Sequence, residues 1–141
     1  MTDSSIQDLE QKKQFLKRYK KNLALIDRLK DKVESLDARS KSIRSPSLSD
    51  MPRGGTPITY EDLIAEKDET IRRIERLTRK GRVYREEILD VIDELEDSRY
   101  AEVLEAFCIE CKDFDTIAEE NCYSVRHVER LYYEAILAVS I

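Results

Sequence analysis

From Leu63 to Leu95, ten positions fall at alternating steps of four and three residues: Leu63, Lys67, Thr70, Ile74, Leu77, Gly81, Tyr84, Ile88, Val91 and Leu95. That heptad spacing places all ten along one side of an α-helix. Ile64, Ile71 and Ile92 lie beside the stripe. A lone helix with one apolar stripe is only marginally stable in water, so the stripe must be buried against something. The chain is thereby committed to helix-on-helix packing. Composition points the same way. Charged residues make up 39% and aromatics 7%, with three Gly, three Pro and no Trp. A sheet protein needs more turn and β-branched residues. Apolar residues at 40% are too many for a wholly disordered chain.

A second stripe lies upstream. Leu9, Leu16, Tyr19, Leu23, Ile26 and Val33 share one face, Phe15, Leu29 and Leu36 widen it, and Lys12 and Lys30 interrupt it. This predicts a basic N-terminal helix within residues 1–38, opening at Ser4 or Ser5. Residues 39–59 hold five Ser, all three Pro and two of the three Gly, the composition of a linker. The heptad-patterned helix then occupies residues 60–96. Thr59 with Asp62 three residues on resembles a capping box. The two long helices either fold back as a coiled-coil-like hairpin or pair between chains as a dimer stalk, and a homo-oligomer through them is expected. The basic run Lys12, Lys13, Lys17, Arg18, Lys20 and Lys21 reads first as a solvated helix face and second as a nucleic-acid contact.

Residues 97–141 form a separate helix-turn-helix module on this reading. A first helix spans residues 98–110, and a short second one spans 114–120 with Ile117 and Ala118 inward. Asn121, Cys122 and Tyr123 connect it to a third helix, capped by Ser124 and running to about residue 138, with Val128, Leu131, Ala135 and Ile136 inward. A short brace, a tight turn and a longer exposed helix suit entry into the DNA major groove. The outward candidates for DNA binding are Ser124, Val125, Arg126, His127, Glu129, Arg130 and Tyr133. Arg126 and Arg130 have forked donors that match guanine or phosphate, and Ser124 at the helix start suits a phosphate. Of Tyr132 and Tyr133, about 100° apart on a helix, one packs and one faces out.

The stretch from Phe114 to Glu120, then Tyr123-Ser124-Val125-Arg126-His127-Val128-Glu129-Arg130 with Ala135-Ile136 beyond, resembles region four of bacterial sigma factors, which binds promoter DNA. The whole layout resembles a phage-encoded family near the ArpU and RinA late-transcription regulators. Its most telling parts are the linker from Ser45 to Gly55 and the Tyr-Ser-x-Arg-x-Val spacing. The resemblance implies transcriptional regulation in a phage or prophage of a Gram-positive host, with double-stranded DNA and RNA polymerase as partners. The family pattern often has glycine between its first two helices and a small or glycine-like residue in the turn; this chain has Cys111 and Cys122.

Charge and cysteines narrow the functional classes. Net charge is −5, unevenly spread. Residues 1–45 carry twelve Lys/Arg against seven Asp/Glu, residues 46–96 nine against thirteen, and residues 97–141 four against ten. An acidic module binds DNA weakly unaided, so a dimer, a partner or the basic N-terminal half must help. The rival reading follows from the same acidity: an interaction protein that contacts RNA polymerase or another protein without touching DNA. Cys108, Cys111, Cys122 and His127 form a C-x2-C-x10-C-x4-H series able to suit zinc. Cys108 also fits the apolar face of the first helix, and a structural cysteine is the preferred reading, with no metal or cofactor expected. No catalytic set or phosphate loop is recognisable, so an enzyme is not expected. Three cysteines do not make a disulfide framework, and no apolar run suits a membrane span or signal peptide; a cytoplasmic protein is expected.

Overall fold

The computed structural model describes residues 3–44 and 58–141. The described chain is all-helical, with five α-helices, one π-helical turn and no strand. Helix α1 is Asp3–Arg44, α2 is Tyr60–Asp93, α3 is Ser98–Leu104, α4 is Phe114–Asn121 and α5 is Val125–Ala138. The π-helical turn, Glu105–Ile109, continues α3. No described helix is long and apolar enough to cross a membrane.

The helix ends follow local chemistry. Thr59 and Asp62 form the reciprocal box that starts α2. The Asp62 amide donates to Thr59 Oγ1 at 3.1 Å, and the Thr59 amide donates to Asp62 Oδ2 at 3.2 Å. Helix α1 differs from expectation at both ends. It starts at Asp3, so Ser5 lies inside it, and it continues past Ala38 to Arg44. In the extension Ser40 faces inward and is buried, and its hydroxyl is satisfied by donating to the Asp37 carbonyl at 2.8 Å. Residues 45–57, the greater part of the expected linker, lie outside the described residues.

Two compact units divide the chain: Met1–Asn22 with Lys80–Ile141, and Leu23–Arg79. In the second unit, Ile26, Leu29 and Leu36 of α1 and Leu63 and Thr70 of α2 are buried. Lys67 donates to Asp37 at 2.9 Å, and Lys32 pairs with Glu66 at 3.3 Å. Lys67 and then Lys41 hold the Asp37 carboxyl below the usual carboxylate range.

In the first unit, the start of α1 packs with the end of α2, α3, the π-helical turn and α5. Leu16, Ile88, Ile92, Leu104, Cys108, Ala135, Ile136 and Val139 make one buried cluster. Arg18 pairs with Glu87 and lies over the rings of Phe15 and Tyr84 at 4.4 and 4.5 Å. Gly81 marks a close approach. A β-carbon there would stand 3.0 Å from Asn22 Oδ1, so any larger residue would require the Asn22 side chain to shift by a few tenths of an ångström. Asn22 is buried, and its Oδ1 has no hydrogen-bond partner among the described residues.

Nine of the ten stripe positions lie in α2 and are buried or half-buried; the helix ends at Asp93, short of the expected residue 96, and Leu95 is half-buried in the connection that follows. In α1 the inner face drifts. Leu29 and Leu36 are buried, Leu23 is only half-buried, and Lys30 is exposed.

Candidate functional site

Two hydrogen-bonded caps and one left-handed residue position α4 and α5. Asp113 caps α4, accepting from the Thr116 amide at 2.8 Å, and Thr116 holds the Asp113 carboxyl below its usual range. Ser124 caps α5, accepting from the His127 amide at 3.1 Å, as its place in the sequence suggests. Between them, α4 runs one residue further than expected and ends at Asn121. Cys122 then takes φ 58°, ψ 38°. The Tyr123 amide reaches back to the Ala118 carbonyl at 2.9 Å and the Cys122 amide to Glu119 at 3.4 Å. These are the two bonds of a Schellman ending, in which a left-handed residue turns the chain sharply.

A left-handed residue also closes the preceding segment, with a wider hydrogen-bonded turn. The expected α-helix over 98–110 widens into the π-helical turn after Leu104, and Cys111 then adopts φ 58°. The Lys112 amide bonds the Ala106 carbonyl at 3.0 Å. Cysteine thus occupies the left-handed region, which glycine enters at least cost, at both turns. A side chain there costs about 1 kcal/mol or more relative to glycine. Cys122→Gly and Cys111→Gly are each expected to stabilise the protein by ~0.5–1 kcal/mol, measured by urea unfolding. A loss of stability in both variants would contradict this account of the turns.

The inner face of α5 is sealed. Val128, Leu131, Ala135 and Ile136 are all at most 1% exposed. Val128 and Leu131 meet Val103, Ile117 and Ala118 in a second buried cluster. Ala118 is small where α4 approaches α5. Phe107, Phe114 and Tyr132 form an aromatic triangle with centroids 4.8–5.2 Å apart beside this cluster. Lys20 of α1 sits 3.8 Å over the Phe107 ring. Tyr132 is therefore the packed tyrosine of the pair, and Tyr133, 42% exposed, faces out.

The outer face of α5 carries the sequence candidates. Ser124, Val125, Arg126, Glu129, Arg130 and Tyr133 are exposed and His127 is half-buried. All but Val125 line one open surface recess. Arg130 Nη2 lies 2.7 Å from His127 Nδ1. A guanidinium only donates, so that ring nitrogen accepts. The Tyr123 ring meets His127 edge-on at 4.8 Å. Arg130 is thus held in place, while Arg126 and Glu129 have no partner among the described residues. Tyr123, read as part of the connection and of the Tyr-Ser-x-Arg-x-Val spacing but not as a site residue, supports His127 in a way that sequence reasoning missed. Its signal was an aromatic ring just before a cap.

The cysteines scatter. Cys108 is buried in the core, and Cys111 and Cys122 are exposed. Among the described residues no group of three or more His, Cys, Asp or Glu is arranged to hold a metal. No family model, no curated protein and no solved structure matches this chain.

Proposed function

We propose that this protein is a transcriptional regulator of a phage or prophage that binds promoter DNA. In this reading α4 and α5 act as a sigma region-four-like helix-turn-helix. The carrying observation is the division of α5: a fully sealed inner face and an outer face on which the seven candidates stand together. A helix presented in this way can lay its first turns along base edges while α4 braces it. Arg126 and Arg130 supply bidentate donors for guanine, Glu129 an acceptor for cytosine, and Ser124 with the α5 N-terminus a phosphate contact. The α1 and α2 stretches pair inside each unit, which supports a hairpin within one chain. The cytoplasm is the proposed setting, and light scattering of the intact chain reads self-association through the long helices.

Footprinting and gel shifts on the promoter region flanking the protein's own gene test the proposal. Specific binding should fall roughly 5–150-fold with Arg126→Ala or Arg130→Ala, the equivalent of ~1–3 kcal/mol per bidentate contact. Absence of specific binding by folded protein at low salt would overturn it. A second reading is favoured by the ten acids against four bases in residues 97–141: the same face contacts RNA polymerase or another protein rather than DNA. Co-purification with polymerase that Arg126→Ala abolishes, without any footprint, would select that reading.

A further inference from the structure

Helix α2 carries a concentration of arginine that the regional net charge conceals. Residues 72–85 hold Arg72, Arg73, Arg76, Arg79, Arg82 and Arg85 with Lys80, against the single acid Glu75. The positions three and four residues either side of Arg76 are Arg72, Arg73, Arg79 and Lys80, so every helical neighbour of Arg76 is a cation. Like charges at these spacings oppose helix formation. In the unit formed by Leu23–Arg79, Arg72, Arg73, Arg76 and Arg79 are all exposed. None of the four has an ion pair or hydrogen bond among the described residues. Elsewhere on the long helices Lys12, Lys13, Arg18, Lys32, Lys41 and Lys67 find carboxylates, whereas Lys17, Lys21, Arg28, Lys30 and Arg39 of α1 have no ion pair among the described residues but are spread along that helix rather than clustered.

The arrangement is directional. Arg72, Arg76 and Arg79 lie at i, i+4 and i+7 on the side of α2 away from the Thr70, Ile74 and Leu77 stripe. Seven residues of helix rise about 10 Å, roughly three base steps along a duplex. The residue type is selective too. The basic stretch of α1 is mostly lysine, whereas this face is arginine alone, whose planar fork matches two phosphate oxygens at once.

We propose that Arg72, Arg73, Arg76 and Arg79 form a second nucleic-acid-binding surface that grips the phosphate backbone of a duplex without reading its sequence. This surface does not depend on the α5 reading. It supplies the positive charge that residues 97–141 lack; Asp68, Glu69 and Glu75 are helical neighbours of Arg72, Arg73 and Arg79 but not of Arg76, so the repulsion that a bound anion would relieve is centred on Arg76.

The test is fluorescence anisotropy of the full-length protein with a labelled duplex of random sequence, between about 50 and about 200 mM salt. The Arg72→Gln/Arg76→Gln/Arg79→Gln variant should lose roughly 10-fold or more in affinity at the lower salt. Its slope of log affinity against log salt should fall by up to ~2.7, about 0.9 for each phosphate contact. Lys30→Gln/Arg39→Gln/Lys41→Gln removes the same charge from α1 of the same unit and should change the slope much less. The melting temperature of the first variant should hold or rise. Equal slopes for the two triple variants, an unchanged slope in the first, or a lowered melting temperature in the first would each overturn the proposal. So would binding of polyglutamate as tight as duplex, which would make the face a general acidic-polypeptide surface. Arg126→Ala serves as the separate control. If it abolishes a specific footprint while random-duplex binding ignores the α2 variant, the α5 reading stands and this one fails. The converse pattern supports the α2 surface and removes the α5 reading.

Discussion

Leu16→Ala is expected to cost the protein ~2–5 kcal/mol and to lower its melting temperature by roughly 5–15 °C. Leu16 is fully buried, and its neighbours come from across its unit: Ile88 and Ile92 of α2, Leu104 of α3, Cys108 of the π-helical turn, and Ala135 and Ile136 of α5. Truncation leaves a cavity that rigid helices cannot collapse around. The loss extends beyond the coil, because Ala135 and Ile136 belong to the inner face that holds the outer face of α5 in position. Leu25→Ala, at a half-buried position in the other unit, serves as the comparison and should cost far less. Urea unfolding measures both. A Leu16→Ala cost below about 1 kcal/mol would mean that the N-terminal stretch is not an integral part of that core.

Alkaline pH should destabilise the fold strongly. Burial pushes the Cys108 thiol from 9.0 up to about 12, and burial together with Cys108 pushes the Tyr132 phenol from 10.0 up to about 12. Both groups are neutral when protonated, and the folded protein keeps those protons longer than the unfolded chain does. Their stabilisation is therefore complete below about pH 9 for Cys108 and pH 10 for Tyr132, and is lost as pH rises toward 12. At 1.36 kcal/mol per unit, about pH 11 removes ~3 kcal/mol through Cys108 and ~1 kcal/mol through Tyr132. Urea midpoints from about pH 8 to about pH 11 should record a fall of ~4 kcal/mol. Cys108→Ala should flatten most of it. A midpoint that does not move over this range would show that neither group is held as the packing implies.

How far the sequence revealed these features depends on how many residues shared a signal. In α2 the four-and-three alternation runs without interruption, and burial follows it at each position from Leu63 to Leu95. In α1, apolar side chains occupy adjacent positions, and hydropathy favours Leu23 over Asn22 for the inner face, against what is observed. The partner decides: Asn22 goes inward because Gly81 opposite has no side chain, and Leu23 is left half-buried. The caps at Thr59 and Ser124 are short-range chemistry and were readable, as were the inner and outer faces of α5. The π-helical turn was not, because nothing in Glu105–Ile109 distinguishes it from α-helix until Cys108 must reach the core while Cys111 turns the chain. The left-handed turns left no direct mark, since cysteine rather than glycine stands at both. The arginine face was visible all along but averaged away. Nine bases against thirteen acids over residues 46–96 is a net of −4, and the sum hides a nearly acid-free stretch inside it.

The pairing of Leu16 with Ile136 spans 120 residues of chain. Contacts so distant along the backbone form late, because a long loop must close before they are rewarded. Residues 23–79 emerge from the ribosome early and find their partners within one another. Leu16 has already emerged by then, and its cover is still being synthesised. Leu16, made early in this core, therefore waits for its α5 cover until that helix has been made, and co-translational chaperone capture is expected in that interval.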